Sequence, residues 1–64
     1  MTVTVHHVDA SDFTYRNVTK VDCDGEVVAI HYYNQKREIE SAFFELGYDC
    51  KHSECTITSY EVNA

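Results

Sequence analysis

The chain has 64 residues, with 5 Lys and Arg against 11 Asp and Glu and a formal net charge of −6. A core of that size leaves little room for an enclosed substrate pocket, and the acidity opposes binding of a phosphate backbone by the whole surface. A single small domain spanning residues 1–64 is therefore expected, without enzymatic activity and without nucleic acid as a partner.

Three cysteines, an odd number, suit a reducing compartment better than a disulfide framework, which would leave one thiol unpaired. There is no apolar run of about 18 residues, and the opening MTVTVHHVDA has neither a basic n-region nor an unbroken apolar h-region. A cytoplasmic chain that makes no membrane contact is the expectation.

Residues 2–8, TVTVHHV, alternate Val3, Val5 and His7 against Thr2, Thr4 and His6, the period of a strand with one apolar face. Asp9, Ala10, Ser11 and Asp12 form a polar connection. Phe13 to Cys23 reads as a second strand through Phe13, Tyr15, Val18 and Val21, with a bulge or twist near Asn17 where the alternation changes parity. Asp24-Gly25 signals a two-residue hairpin, which places Cys23 opposite Glu26. Counting outward pairs Val21 with Val28, Thr19 with Ile30 and Asn17 with Tyr32 on one face. The opposite face carries Arg16, Val18, Lys20, Val27, Ala29, His31 and Tyr33.

The stretch NQKREIESAFFELGY, Asn34 to Tyr48, predicts a helix over about Gln35 to Leu46. Ile39, Ala42, Phe43 and Leu46 fall at i, i+3, i+4 and i+7, Asn34 serves as N-cap, and Gly47 supplies the left-handed stop. Two details do not fit that helix. Phe44 falls on its flank, and Lys36 and Arg37 at its start with Glu45 and Asp49 at its end each oppose the dipole by roughly 0.3–1 kcal/mol. Tyr48 to Lys51 reads as a short strand, His52, Ser53 and Glu54 as a turn, and Cys55 to Val62 as the last strand. The fold class expected is α+β: a small antiparallel sheet, β-β-β-α-β or β-β-β-α-β-β, with one helix packed on one face.

One helix covers one face, so the opposite hairpin face is the candidate protein-binding surface: Arg16, Val18, Lys20, Val27, His31 and Tyr33, joined by Phe44. That surface implies a non-enzymatic protein–protein interaction module whose partner is another protein or a second copy in a homodimer. β-Augmentation along the first or last strand is the alternative geometry. A solvated sheet face is the competing reading of the same residues.

A second functional reading takes Glu38, Glu40, Glu45 and Asp49 as a phosphate-mimicking face of an acidic inhibitor of a nucleic-acid enzyme. A third takes Cys23, Cys50, His52 and Cys55 as zinc ligands, although C-x-H-x-x-C departs from the usual C-x₂-C spacing. Ser53 beside His52 and Cys55 lacks the third group that nucleophilic catalysis requires, and no cofactor is implied. In size, acidity and sheet-plus-helix layout the chain resembles small proteins encoded by bacteriophages and mobile elements. Such proteins include inhibitors of host defence nucleases, and the resemblance carries over no site residue.

Overall fold

A computed structural model describes residues 1–7, 11–47 and 56–64. Six strands form one mixed sheet: β1 Thr2–His7, β2 Phe13–Tyr15, β3 Val18–Asp24, β4 Val27–Tyr33, β5 Ile39–Leu46 and β6 Thr56–Asn63. Their order across the sheet is β2-β1-β6-β5-β4-β3. All neighbours are antiparallel except β5 and β6, which run parallel through Glu45–Thr56 and Leu46–Ile57.

The sheet coils until its far ends meet. The Val18 amide donates to the Met1 carbonyl at 3.0 Å and the Met1 amino group to the Val18 carbonyl at 3.3 Å, which ties the start of β3 to the start of β1. Tyr15 of β2 and Tyr32 of β4 lie at 5.1 Å between ring centres. Inside this partly closed barrel, Val3, Val5, Val18, Val28, Ile30, Phe44 and Ile57 form the core. Each buried Val or Ile removes roughly 1.5–3 kcal/mol of apolar surface from water. Burial raises the Tyr15 and Tyr60 phenol pKa values, that of Tyr60 with a smaller contribution from the Cys23 thiol reaching across from β3.

The expected α+β class is overturned, because every element among the described residues is a strand. The segment read as a helix is a tight turn followed by β5. Asn34 does act as a cap, but of a turn: its Oδ1 accepts from the Lys36 amide at 2.8 Å and the Glu38 amide at 3.0 Å. The Arg37 amide donates to the Asn34 carbonyl, the Asn34 amide donates to the Glu38 carbonyl, and Arg37 takes a left-handed φ of 62°. These are the marks of a hairpin turn closed by a left-handed residue. The sequence IESAFFEL supports two periods at once. As a helix it groups Ile39, Ala42, Phe43 and Leu46; as a strand it turns Ala42, Phe44 and Leu46 inward. Pairing with β4 along the whole of β5 favours the second. The charges opposed to a helix dipole meet no dipole in a strand.

The strands expected at both ends of the chain are present as β1 and β6. The single strand expected over Phe13 to Cys23 is split into β2 and β3 at Asn17, whose φ is 57°, and the register slips between Val18 and Lys20. That slip turns Val18 into the core, where 4% of it is exposed. The β3–β4 turn is Gly25-Glu26, with Asp24 opposite Val27. Gly25, at φ 63°, holds the first central position, where a type II′ turn needs glycine. Cross-strand partners therefore differ by two residues from the expected pairs, and an even shift leaves Val21, Val28, Ile30 and Tyr32 on their expected side. The expected strand at Tyr48 to Lys51 and the turn after it lie outside the described residues.

Candidate interaction surface

The register of β4 and β5 places Tyr33 beside Ile39, His31 beside Ser41, Ala29 beside Phe43 and Val27 beside Glu45. All eight point away from the core, because Val28, Ile30, Phe44 and their alternating neighbours point into it. Lys20, Asp22 and Asp24 extend this outer face along β3. Ile39 is 61% exposed and Phe43 63%, with Val27 and Tyr33 also exposed beside them. Together these side chains form an exposed apolar patch, a feature that on small domains is often functional.

A hydrogen-bonded line crosses the middle of this face from strand to strand. Asp22 Oδ2 lies 3.2 Å from His31 Nε2, and His31 Nδ1 lies 2.7 Å from Ser41 Oγ. Lys20 Nζ stands 3.5 Å from the other Asp22 oxygen. With the carboxylate accepting from Nε2–H, the neutral ring presents Nδ1 to accept from the serine hydroxyl. A serine hydroxyl donating to an imidazole backed by a carboxylate is an arrangement that activates nucleophiles. Here it is laid on an open sheet face, and its immediate effect is to hold three polar side chains satisfied among apolar ones.

The backbone of β5 adds a second feature. The Leu46 amide donates to the Glu26 carbonyl and the Glu38 carbonyl accepts from Asn34, so the even-numbered residues of β5 turn their backbone toward β4. The odd-numbered residues turn theirs the other way. Glu45 pairs there with Thr56, and the Gly47 amide donates to the Ile57 carbonyl. Among the described residues no strand pairs with the outward backbone of Ile39, Ser41 or Phe43.

Of the residues expected to bind a partner, Lys20, Val27, His31 and Tyr33 do share this face. Arg16 lies in the link between β2 and β3, beside an open groove lined by Phe13, Tyr15, Tyr32 and Tyr33. Val18 and Phe44 are instead core residues, 4% and 6% exposed, and take no part in this face. Ile39, Ser41 and Phe43 went unassigned because a helical period hid the alternation that exposes them. β1 and β6 pair with each other along most of their length, and on their other sides β1 meets β2 at Val3–Val5 and β6 meets β5 at Thr56 and Ile57.

The acidic set is dispersed. Glu38 sits in the turn before β5, and Glu45 is on the outer face. Glu40 is inward of the strand plane, where it accepts from the Tyr32 hydroxyl at 3.0 Å and from Asn34 Nδ2 at 3.1 Å. That bond to Glu40 is the main reason the Tyr32 phenol pKa is raised. Asp49, Cys50, His52 and Cys55 lie outside the described residues, and Cys23 is exposed. Among the described residues, no group of three or more His, Cys, Asp or Glu side chains is placed to hold a metal ion.

The outer side of β1 and β6 is dressed differently. Thr4, His6, Ser59 and Glu61 occupy it, and His6 is set between Asp12 Oδ2 at 2.9 Å and Glu61 Oε2 at 3.4 Å. The hydrogen bond to Asp12, with the field of both carboxylates, raises the His6 pKa above 6.5.

Among the described residues, fold and surface define a small all-β domain, a coiled six-stranded sheet with an apolar outer face and, at Ile39–Phe43 of β5, strand backbone without a paired strand on its outward side. Comparison of the chain with protein-family models, with curated proteins and with solved structures finds no match. No helix among the described residues is long and apolar enough to cross a membrane.

Proposed function

We propose that the chain is a non-enzymatic protein-binding module of the cytoplasm that takes an extended segment of another protein alongside β5. The observation that carries this reading is the coincidence, on Ile39 and Phe43, of side chains more than three-fifths exposed with outward backbone groups. An added strand gains affinity from main-chain hydrogen bonds and specificity from alternate side chains. The partner strand is apolar at the positions beside Ile39 and Phe43, and the neighbouring Tyr33 and Val27 bound the contact. Phe43→Lys and Ile39→Lys place a charge on that strand without touching the core. Each is expected to abolish association while the thermal midpoint stays within a few degrees of the parent's, as read by sizing and melting. Association that survives both substitutions overturns the reading.

A second reading rests on the Asp22–His31–Ser41 line and makes Ser41 a nucleophile. Covalent labelling of Ser41 by a fluorophosphonate, lost in His31→Ala, supports it. Protein left unlabelled removes it.

A further inference from the structure

We infer that the strand taken alongside β5 is β5 of a second copy, paired antiparallel about a twofold axis through Ser41. This inference rests on the protein-binding reading above and names its occupant.

Register is the first ground. An axis through Ser41 sets Ile39 of each copy opposite Phe43 of the other, and Ser41 opposite Ser41. These are the three residues of β5 whose outward N–H and C=O meet no strand among the described residues, so each facing pair exchanges two backbone hydrogen bonds. An axis through Glu40 would put two like charges face to face. An axis through Ala42 would set Ile39 against Glu45, whose backbone β6 already occupies. Only the Ser41 axis joins apolar to apolar and keeps like charges apart.

Charge is the second ground. Beyond the last backbone pair at each end, the same axis leads the turn that carries Arg37 toward the outer-face carboxylate of Glu45 of the second copy, a side-chain approach that leaves the β6 pairing of Glu45 in place. A chain with a net charge of −6 thus meets its copy along an uncharged outer stripe closed at each end by an opposite pair. Covering the centre also strands no polar group, because each Ser41 hydroxyl is already bonded to its own His31 at 2.7 Å.

The symmetry limits growth. Pairing consumes β5 in both copies, and β3 ends the sheet on that side of each half. Its outer face carries Lys20, Asp22 and Asp24, and charges of this kind discourage further strand addition. An isologous contact of this type closes at two.

Sizing of the unaltered chain at micromolar concentration is expected to give twice the monomer mass, and Phe43→Lys to return it to the monomer. In a chain with Cys23, Cys50 and Cys55 changed to serine, Ser41→Cys is expected to form a disulfide-linked dimer under mild oxidation. Facing α-carbons in a hydrogen-bonded pair are about 5.5 Å apart, within disulfide reach. Ser59→Cys, exposed on the outer side of β6, is the comparison and is expected to form no disulfide-linked dimer. An unaltered chain that stays monomeric up to millimolar concentration overturns the self-pairing. So does a dimer unaffected by Phe43→Lys, a measurement that needs no cysteine replacement. A monomer whose capture of a different protein is lost in Phe43→Lys overturns the self-pairing alone and leaves the binding reading standing.

Discussion

β3 and β5 flank the same strand, β4, and they meet water in opposite ways. The outer side of β3 presents Lys20, Asp22 and Asp24 in alternation, whereas β5 presents Ile39, Ser41 and Phe43 before its first acid at Glu45. Charged side chains on a sheet edge make strand addition unfavourable, and apolar ones invite it. The difference arises within one meander built from one core, so folding stability does not require it.

The largest effect that sharpens this contrast comes from two adjacent residues. Phe44 is 6% exposed and Phe43 63%. Phe44→Ala is expected to cost about 3–5 kcal/mol of unfolding free energy, because a buried ring leaves a cavity. Phe43→Ala should change stability by about 0.5 kcal/mol or less while weakening association. Denaturant titration of both variants checks the pair, and equal losses would contradict the inward and outward assignment.

The contrast is broken by removing the guard. Lys20→Val with Asp24→Val makes β3 resemble β5, which should convert a closed pair into open, concentration-dependent assemblies detected by light scattering. Smaller effects separate the two turns that hold the meander. Gly25→Ala places a side chain at φ 63° with open space around it, so backbone strain alone should cost about 1 kcal/mol. Arg37→Gly relieves the strained φ of 62°. Because glycine also loosens the unfolded chain, the net gain should be about 0.5 kcal/mol. Thermal melts of the two variants should therefore move in opposite directions.

The smallest effect concerns the polar side of the sheet. A His6 pKa raised in the fold means that protonated His6 stabilises the native state fully below the unfolded value of 6.5. That contribution is lost as the pH rises through the folded-state value. Asp12→Asn removes the largest cause of the shift. It should lower the His6 titration midpoint seen by NMR and flatten the dependence of the melt on pH in that window.

Much of the strand pattern was legible in the sequence, since β1, β4 and β6 announce themselves by alternation, β-branched residues or both. The β3–β4 faces were also legible, because the true turn differs from the expected one by an even step. What misled was a stretch obeying two periods. Ala42 and Leu46 are inward under either, and Phe43 and Phe44 exchange places between them. Asn34 deepened the ambiguity, because a side-chain oxygen accepting amides two to four residues on starts a turn as readily as a helix. The sign that pointed the right way was electrostatic. Lys36, Arg37 and Glu45 are in the wrong order for a helix dipole, and they fall naturally at the two ends of a strand. The break at Asn17 was legible as a change of parity, but Val18 was given its face by counting the hairpin register straight through the slip. The candidate surface was half visible: Lys20, Val27, His31 and Tyr33 follow from hairpin alternation, whereas Ile39, Ser41 and Phe43 required knowing that β5 is a strand.

The parallel contact of β5 with β6 has a kinetic consequence. β3, β4 and β5 join through short turns and can zip from neighbour to neighbour, but β6 must bring Ile57 against both Leu46 and His7. Leu46 is near Ile57 in sequence, but His7 stands near the opposite end of the chain, and pairing at that separation spends loop entropy before any contact repays it, which makes the step slow. The meander of β3, β4 and β5 is therefore expected to form ahead of the β1–β6 pairing that covers the inner side of Ile30 and Phe44. Substitutions that weaken β4 or β5 should slow refolding, and those that weaken β1 or β6 should chiefly hasten unfolding.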